Sequence, residues 1–326
     1  IDSDQFRTKI INNILYVNKE ELSALILSDE GITSVELDIA RPGESVRITP
    51  VKDVIEPRVK VSGAGGLFPG WCAKVQTVGS GRTHVLKGAA VVTTGKVVGF
   101  QEGIIDMCGE GAKYTPFSKL NNLILIVQPK DGMLQHAYEK SLRLAGLKAA
   151  EYLGRLAAEL APEEIRTFET CTVTEGIKKY PELPRVGYVL MLQSQGLLHD
   201  TYVYGVDAKQ TLPTLIGPTE LMDGAIISGN CVSACDKNTT YHHLNNPVVE
   251  DLFSEHGSTL NFAGLIITNE NVYLADKERS SDRTAELCAY LGLDGVIISQ
   301  EGFGNPDTDL IMNCKKIEAK GIKTVI

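Results

Sequence analysis

From residue 225 onward the chain alternates short apolar runs with amphipathic stretches, and this order constrains the fold more than any other feature. Ala225-Ile226-Ile227 predicts a short buried strand, followed after a loop by a helix over 247–256. Ala263 to Thr268 predicts the next strand, with a helix over 276–291. Gly295 to Ser299 predicts another, with a helix over 307–320, and Lys323 to Ile326 begins one more. Continuous β-branched runs mark strands buried on both faces, and strand–helix–strand order predicts parallel pairing with right-handed crossovers. A chain that stops inside a buried strand leads one to expect that the last strand is incomplete and that more chain, or another subunit, finishes the sheet. Ligands of such sheets bind outside the carboxyl ends of the strands. Three loops are expected to share that edge, carrying Asn230-Cys231, Asn269-Glu270-Asn271 and Glu301 to Pro306. Turn chemistry and helix caps account for each of these residues singly. Their convergence beside a thiol is what points to a site.

The first part of the chain has a different texture. Residues 34–39, 46–49 and 58–61 alternate with period two, as half-buried strands do. Between Gly63 and Gly111, short β-branched runs are separated by glycine turns, which predicts a compact barrel- or sandwich-like β region. No glycine pair there completes a dinucleotide fingerprint or a phosphate loop with its lysine. The texture changes near residues 115–122. Leu123 to Val127 predicts a strand buried on both faces. A helix over 134–160 follows, with Leu142, Ala145, Ala149, Leu153, Leu156 and Leu160 on one stripe. Residues 186–191, 202–206 and 214–216 predict further strands. The expected class is α/β: a β-rich domain over 1–120, then a Rossmann-like parallel sheet with flanking helices over 121–326.

Composition excludes several functions. No apolar run reaches the roughly 18–20 residues of a membrane helix, and no basic-then-apolar export signal opens the sequence. A net charge of −9 disfavours a nucleic-acid partner. Seven cysteines at irregular spacings are no disulfide framework, so free thiols in a reducing cytoplasm are expected.

Three chemistries suit the loop Ser228 to Asn238. Cys231-x-x-x-Cys235 with His242 and His243 offers thiols and imidazoles to zinc. Cys231 with a histidine base, near a helix start, is a nucleophile pair. The third is self-cleavage: a thiol directly after an Asn carbonyl attacks it and moves the chain onto sulfur as a thioester. Elimination then leaves dehydroalanine, which tautomerises and hydrolyses to a pyruvoyl group. Gly229 supplies the unusual dihedrals such a turn needs. The residues alone leave all three open.

Longer blocks resemble a known family. Arg41 to Asp53, Thr93 to Met107, Leu197 to Ala208, Ser228 to Asn238, Asp276 to Ser281 and Glu301 to Pro306 are similar to the component B proprotein of glycine reductase and its sarcosine and betaine relatives. The resemblance spans nearly the whole chain. It implies cleavage between Asn230 and Cys231, with Cys231 becoming a covalent pyruvoyl group. It implies that glycine condenses with that carbonyl through its amine. A selenocysteine on the partner selenoprotein subunit of component B then attacks the α-carbon and releases ammonia. The carboxymethyl group passes to the small selenoprotein A and, with component C, ends as acetyl phosphate. The implied assembly is a cytoplasmic hetero-oligomer with a small amino-acid substrate. In that light Cys235, Asp236, His242, His243, Asn269, Glu270 and Glu301 become candidates for assisting cleavage or lining the substrate site. Arg47, Arg82 and Arg279 are available for the substrate carboxylate. Only a primary amine such as glycine forms an imine; sarcosine stops at an iminium, and betaine has no N–H. The alternatives are a sarcosine or betaine reductase subunit, or a metal-stabilised scaffold for the selenoprotein. The family's chains open on Met and continue past the position of Ile326, so a longer chain is expected here too.

Overall fold

The computed structural model describes residues 7–96, 103–194, 201–229 and 238–326. The first part holds β1 (Lys9–Ile11), β2 (Ile14–Tyr16), α1 (Lys19–Ile26), β3 (Ile32–Ala40), β4 (Arg47–Ile55), β5 (Arg58–Ser62), β6 (Arg82–Val85), β7 (Ala89–Thr94), β8 (Gly103–Asp106), β9 (Asn121–Pro129) and α2 (Gln135–Arg155). The second holds α3 (Val173–Lys179), β10 (Arg185–Leu192), β11 (Thr201–Val203), β12 (Val206–Asp207), β13 (Thr214–Ile216), α4 (Pro218–Met222) and β14 (Ile226–Ser228). It continues with α5 (Thr240–Leu244), α6 (Pro247–Glu255), β15 (Asn261–Asn269), α7 (Leu274–Tyr290), β16 (Gly295–Ser299), α8 (Asn305–Glu318) and β17 (Lys323–Val325).

The chain is a mixed α/β structure. Its first large sheet is five-stranded, in the order β3-β9-β7-β4-β8. It is open, and the described residues form no closed barrel. The reason lies in α1 and α2, which cover one face. Leu22, Ile26, Leu142 and Leu153 pack there against Leu37, Val91, Leu125 and Val127. A helix thus supplies the cover that barrel closure or a second sheet would otherwise provide. The other face carries Ile48, Val54, Val92, Met107 and Ile124. β9, the apolar run expected to open the parallel sheet, belongs here instead. It lies antiparallel to β3 and parallel to β7. Its residues alternate between the two covered faces, which is why they read as a continuous apolar run.

Leu142, Ala145, Ala149 and Leu153 of the expected stripe are buried on α2, but the helix ends at Arg155, so Leu156 and Leu160 fall beyond it and Leu160 is exposed. Gly154 has a packing reason. A Cβ there would lie 2.1 Å from the Arg58 carbonyl oxygen, so only glycine lets α2 seat on β5.

The second large sheet runs β13-β15-β10-β16-β17. The last four strands are parallel and β13 is an antiparallel edge. Tyr188, Leu190 and Leu192 point to one face, with Val249, Leu252, Leu265 and Ile267. Val189 and Met191 point to the other, with Ala285, Cys288 and Ile317 of α7 and α8. Because β10 is flanked by β15 and β16, the chain leaves it to one side and later crosses to the other. That reversal makes the carboxyl ends of β10 and β16 the topological switch point of the sheet, the place where such sheets bind ligands.

β14 corrects the sequence reading. It is not part of the parallel sheet. It pairs antiparallel with β11 in a three-stranded sheet, β12-β11-β14. Only Ile226–Ser228 are extended, and the β11–β12 hairpin takes up their hydrogen bonds. Two of the three loops expected at one edge, those after β15 and β16, are there, joined by the end of β10.

Candidate functional site

The segment 230–237 leaves β14 and returns at α5. Asn230, Cys231, Cys235 and Asp236 lie outside the described residues. The residues on either side of the segment are held tightly. Thr240 Oγ1 accepts a hydrogen bond from Ser228 N at 3.0 Å, so the departing and returning backbones are tied by one side chain. Thr240 is in turn fixed by Asp53 of β4. Its amide donates to Asp53 Oδ1 at 2.8 Å and its hydroxyl to Oδ2 at 2.6 Å. Val54 N also donates to Oδ1, at 2.8 Å. Asp53, Thr240 and Ser228 are all buried, so these bonds act without competition from water. On the departing side, Arg143 Nη2 of α2 donates to the Gly229 carbonyl at 2.9 Å. The guanidinium lies over the rings of Trp71 and Tyr202, with centroid distances of 4.5 and 4.1 Å.

The returning helix reaches the parallel sheet. His243 is fully buried, and its Nε2 lies 3.3 Å from Glu301 Oε1 in the loop after β16. Glu301 Oε2 accepts from Gln193 N at 3.2 Å, at the end of β10. Glu270, just after β15, completes the group. Its Oε1 accepts from the amides of Glu301 and Gly302 at 2.8 and 3.0 Å. Among the described residues its Oε2 is buried without a hydrogen-bond partner, as is Gln193 Oε1. Both oxygens crowd the α-carbon of Gly302, where a Cβ would lie 2.9 and 2.3 Å from them. Burial, and then the charge of Glu301, push Glu270 up to about 8, against the pull of its two amide donors. The site therefore holds a carboxyl group that keeps its proton at neutral pH, a second glutamate and an imidazole. That is the equipment of proton transfer.

Behind this group, Lys277 and Asp309 form a buried ion pair between α7 and α8. Lys277 Nζ also donates to the Asn305 carbonyl at 3.0 Å. Asp309 Oδ1 accepts from the amide and side chain of Asn271, at 3.2 and 3.0 Å. The loops bearing Glu270 and Glu301 are thus tied together.

The structure brings together His243, Glu270 and Glu301 and turns two further candidates, Asn269 and His242, to other partners. Asn269 donates its amide to the Thr211 carbonyl at 2.7 Å, a structural bond. His242 caps its own helix, with Nδ1 3.0 Å from Thr239 Oγ1, and its ring packs on Phe117 at 5.2 Å. Burial holds the His242 imidazole below its ordinary range. Adjacent histidines that turn to different partners make a poor common metal ligand. Among the described residues no group of three or more His, Cys, Asp or Glu is placed to hold a metal. Arg47 and Arg279 are engaged at the surface by Asp106 and Asp276. Arg143, Asp53, Thr240 and Gln193 were not among the sequence candidates. Arg143 did leave a trace: with Glu139 one turn earlier it puts charge on a helix face it shares with Leu147 and Ala150, all of them buried.

The chain belongs to the family of glycine/sarcosine/betaine reductase component B subunits, whose family model matches residues 4–326. It is accordingly an oxidoreductase subunit. It is 69% identical over 320 residues to the glycine reductase complex component B subunits alpha and beta of Peptoclostridium acidaminophilum, covering 98% of this chain and 75% of that protein. It is 68% identical to the protein of that description from Acetoanaerobium sticklandii, over 98% and 74% of the two chains. It is 61% identical to the sarcosine reductase complex component B subunit alpha of Peptoclostridium acidaminophilum, over 98% and 75%. No solved structure matches the chain.

Proposed function

We propose that this chain is the component B subunit of a cytoplasmic glycine reductase, cut between Asn230 and Cys231, with Cys231 converted to a pyruvoyl group that receives the substrate amine. The observation that carries the proposal is the anchoring around the segment that holds this bond. Arg143 grips Gly229, and Ser228 is tied through Thr240 to Asp53, while most of the residues between are small. A frame that fixes both flanks of a short segment serves backbone chemistry, which needs one peptide held against one nucleophile.

In the proposed cleavage the Cys231 thiol adds to the Asn230 carbonyl, and the peptide C–N bond breaks to give a thioester and a free amine on residue 231. Loss of the residue 231 α-proton and of the C–S bond leaves dehydroalanine, with a thiocarboxylate on Asn230. Tautomerisation and attack by water release ammonia and leave the ketone. These steps move protons from sulfur and from carbon. His243, Glu301 and Glu270 are the buried acid–base groups that α5 connects to this segment. His243 and Glu301 suit proton acceptance, and neutral Glu270 suits donation.

When formed, the group supplies an electrophilic carbonyl for a primary amine. The fit of glycine to that chemistry, with the higher identity to glycine reductase subunits, favours glycine over sarcosine or betaine. The selenol that attacks the α-carbon resides on the partner selenoprotein subunit of component B, with small selenoprotein A and component C acting afterwards.

The test is carbonyl labelling with a hydrazide on protein matured with its partners. The expected result is one label per chain at residue 231, absent in Cys231→Ala, with unchanged far-UV circular dichroism. Active enzyme without the label refutes the proposal. Gross unfolding of Cys231→Ala makes Cys231 structural. Stoichiometric zinc lost in Cys235→Ser would favour the scaffold reading.

A further inference from the structure

We propose that Arg143 and Trp71 form the receptor for the substrate's carboxylate. The inference rests on the reading of this chain as an amino-acid reductase subunit and names two residues that grip the amino acid.

Arg143 is 2% exposed, and Arg side chains are almost never this buried without an anion. Among the described residues no carboxylate pairs with it. Among those residues its one hydrogen bond is from Nη2 to the Gly229 carbonyl, and its Nε is buried without an acceptor. The indole of Trp71, which lies against the guanidinium, has its own Nε1 buried without an acceptor among the described residues. Two neighbouring N–H donors, one of them charged, are therefore both withdrawn from water and both unsatisfied. Each such donor is destabilising, the charged one more so, unless an acceptor arrives. The faces of Trp71 and Tyr202 offset part of the charge burial through their π-electrons, but they accept nothing from Nε.

The missing partner is anionic, planar and small. A carboxylate takes the Nε edge of a guanidinium in fork geometry and has lone pairs left for an indole N–H. The place also suits an amino acid. Gly229, held by the same guanidinium, precedes Cys231 by two residues. An α-amino acid whose carboxylate sits on Arg143 shares that guanidinium with Gly229, which flanks the segment holding the cleavage point. The three surface arginines the sequence offered face solvent or surface carboxylates and lack this enclosure.

The experiment uses the full reductase complex and compares wild type with Arg143→Lys, Arg143→Gln and Trp71→Phe. Intact mass and hydrazide labelling first establish whether each variant is cut and carries its carbonyl. Steady-state kinetics then compare glycine with glycinamide, which keeps the amine and loses the charge. The expected result is that Arg143→Lys is cut and labelled, with KM for glycine raised about 30-fold or more and kcat changed less, since a charge-assisted bond is worth that much. Trp71→Phe, which keeps a ring but removes the N–H, raises KM about 3- to 10-fold. Arg143→Gln loses the wild-type preference for glycine over glycinamide. Variants that are cut and labelled but keep KM and that preference overturn the receptor. Arg143 variants that all remain uncut also overturn it and assign the guanidinium to cleavage through Gly229. Absence of label in the wild type sinks the carbonyl reading instead, a separate failure.

Discussion

Two buried carboxyl groups in this molecule are treated in opposite ways, and the contrast separates frame from chemistry. Asp53 lies under α5 with both oxygens engaged: Oδ1 takes the amides of Thr240 and Val54, and Oδ2 takes the Thr240 hydroxyl. Glu270 lies at the parallel-sheet edge with Oε1 accepting from two amides and Oε2 without a hydrogen-bond partner among the described residues, near the charge of Glu301. A carboxylate surrounded by donors is a fixed anchor. One that is desolvated beside a like charge holds a proton and has it to give. The first ties together the backbone around segment 230–237, and the second is poised to exchange protons.

The sharpest way to break the contrast is Asp53→Ala. It leaves the Thr240 amide and hydroxyl buried without their acceptor. We expect a loss of about 3–5 kcal/mol in denaturant unfolding, together with loss of cleavage. Asp53→Asn, which keeps an acceptor oxygen, is expected to lose less than half of that. Equal losses would mean that the charge, not the bonding, matters at this position.

Glu270 makes a prediction of opposite sense. Its folded-state value of about 8 lies above the ordinary 4.5, so the folded protein keeps this proton where the unfolded chain has lost it. The stabilisation is present in full below pH 4.5 and is lost as pH rises to about 8, at about 1.4 kcal/mol per unit. Glu270→Gln should remove this decline from the stability profile, keep near-native stability at neutral pH, and lower activity. A wild-type profile that rises across the same window, with no change in the variant, would place the proton elsewhere.

Gly302→Ala is the smallest probe. It forces a methyl against Gln193 Oε1 and Glu270 Oε2, and should cost about 1–3 kcal/mol in thermal unfolding while leaving the Asp53 anchor intact. A silent substitution would show that the two oxygens are not packed as tightly as their positions imply.

Much of the second half was legible in the sequence. β15, α7, β16 and α8 follow from their periodicity, because local pattern and tertiary burial agree there. β9 was legible as a strand but not in its sheet, because burial on both faces looks alike in either environment. β14 was misplaced because three extended residues carry no information about their partner, and a hairpin formed elsewhere supplied it. At the site, Glu270 and Glu301 stood out through their loops. The contact of His243 with Glu301, and the sorting of His242 to its own cap, depend on the rotation of one short helix and leave no mark in composition. Arg143 and Trp71 meet across distant parts of the chain. Only the charge on an apolar helix face hinted that something unusual was buried there.

The most direct test is the denatured mass of the protein taken from active, assembled enzyme. The expected spectrum shows two polypeptides, one ending at Asn230 and one beginning at a residue 231 that has lost its sulfur and gained a ketone; Cys231→Ala should give one uncut chain. A single uncut chain with an unmodified Cys231 in fully active enzyme would contradict the proposed function.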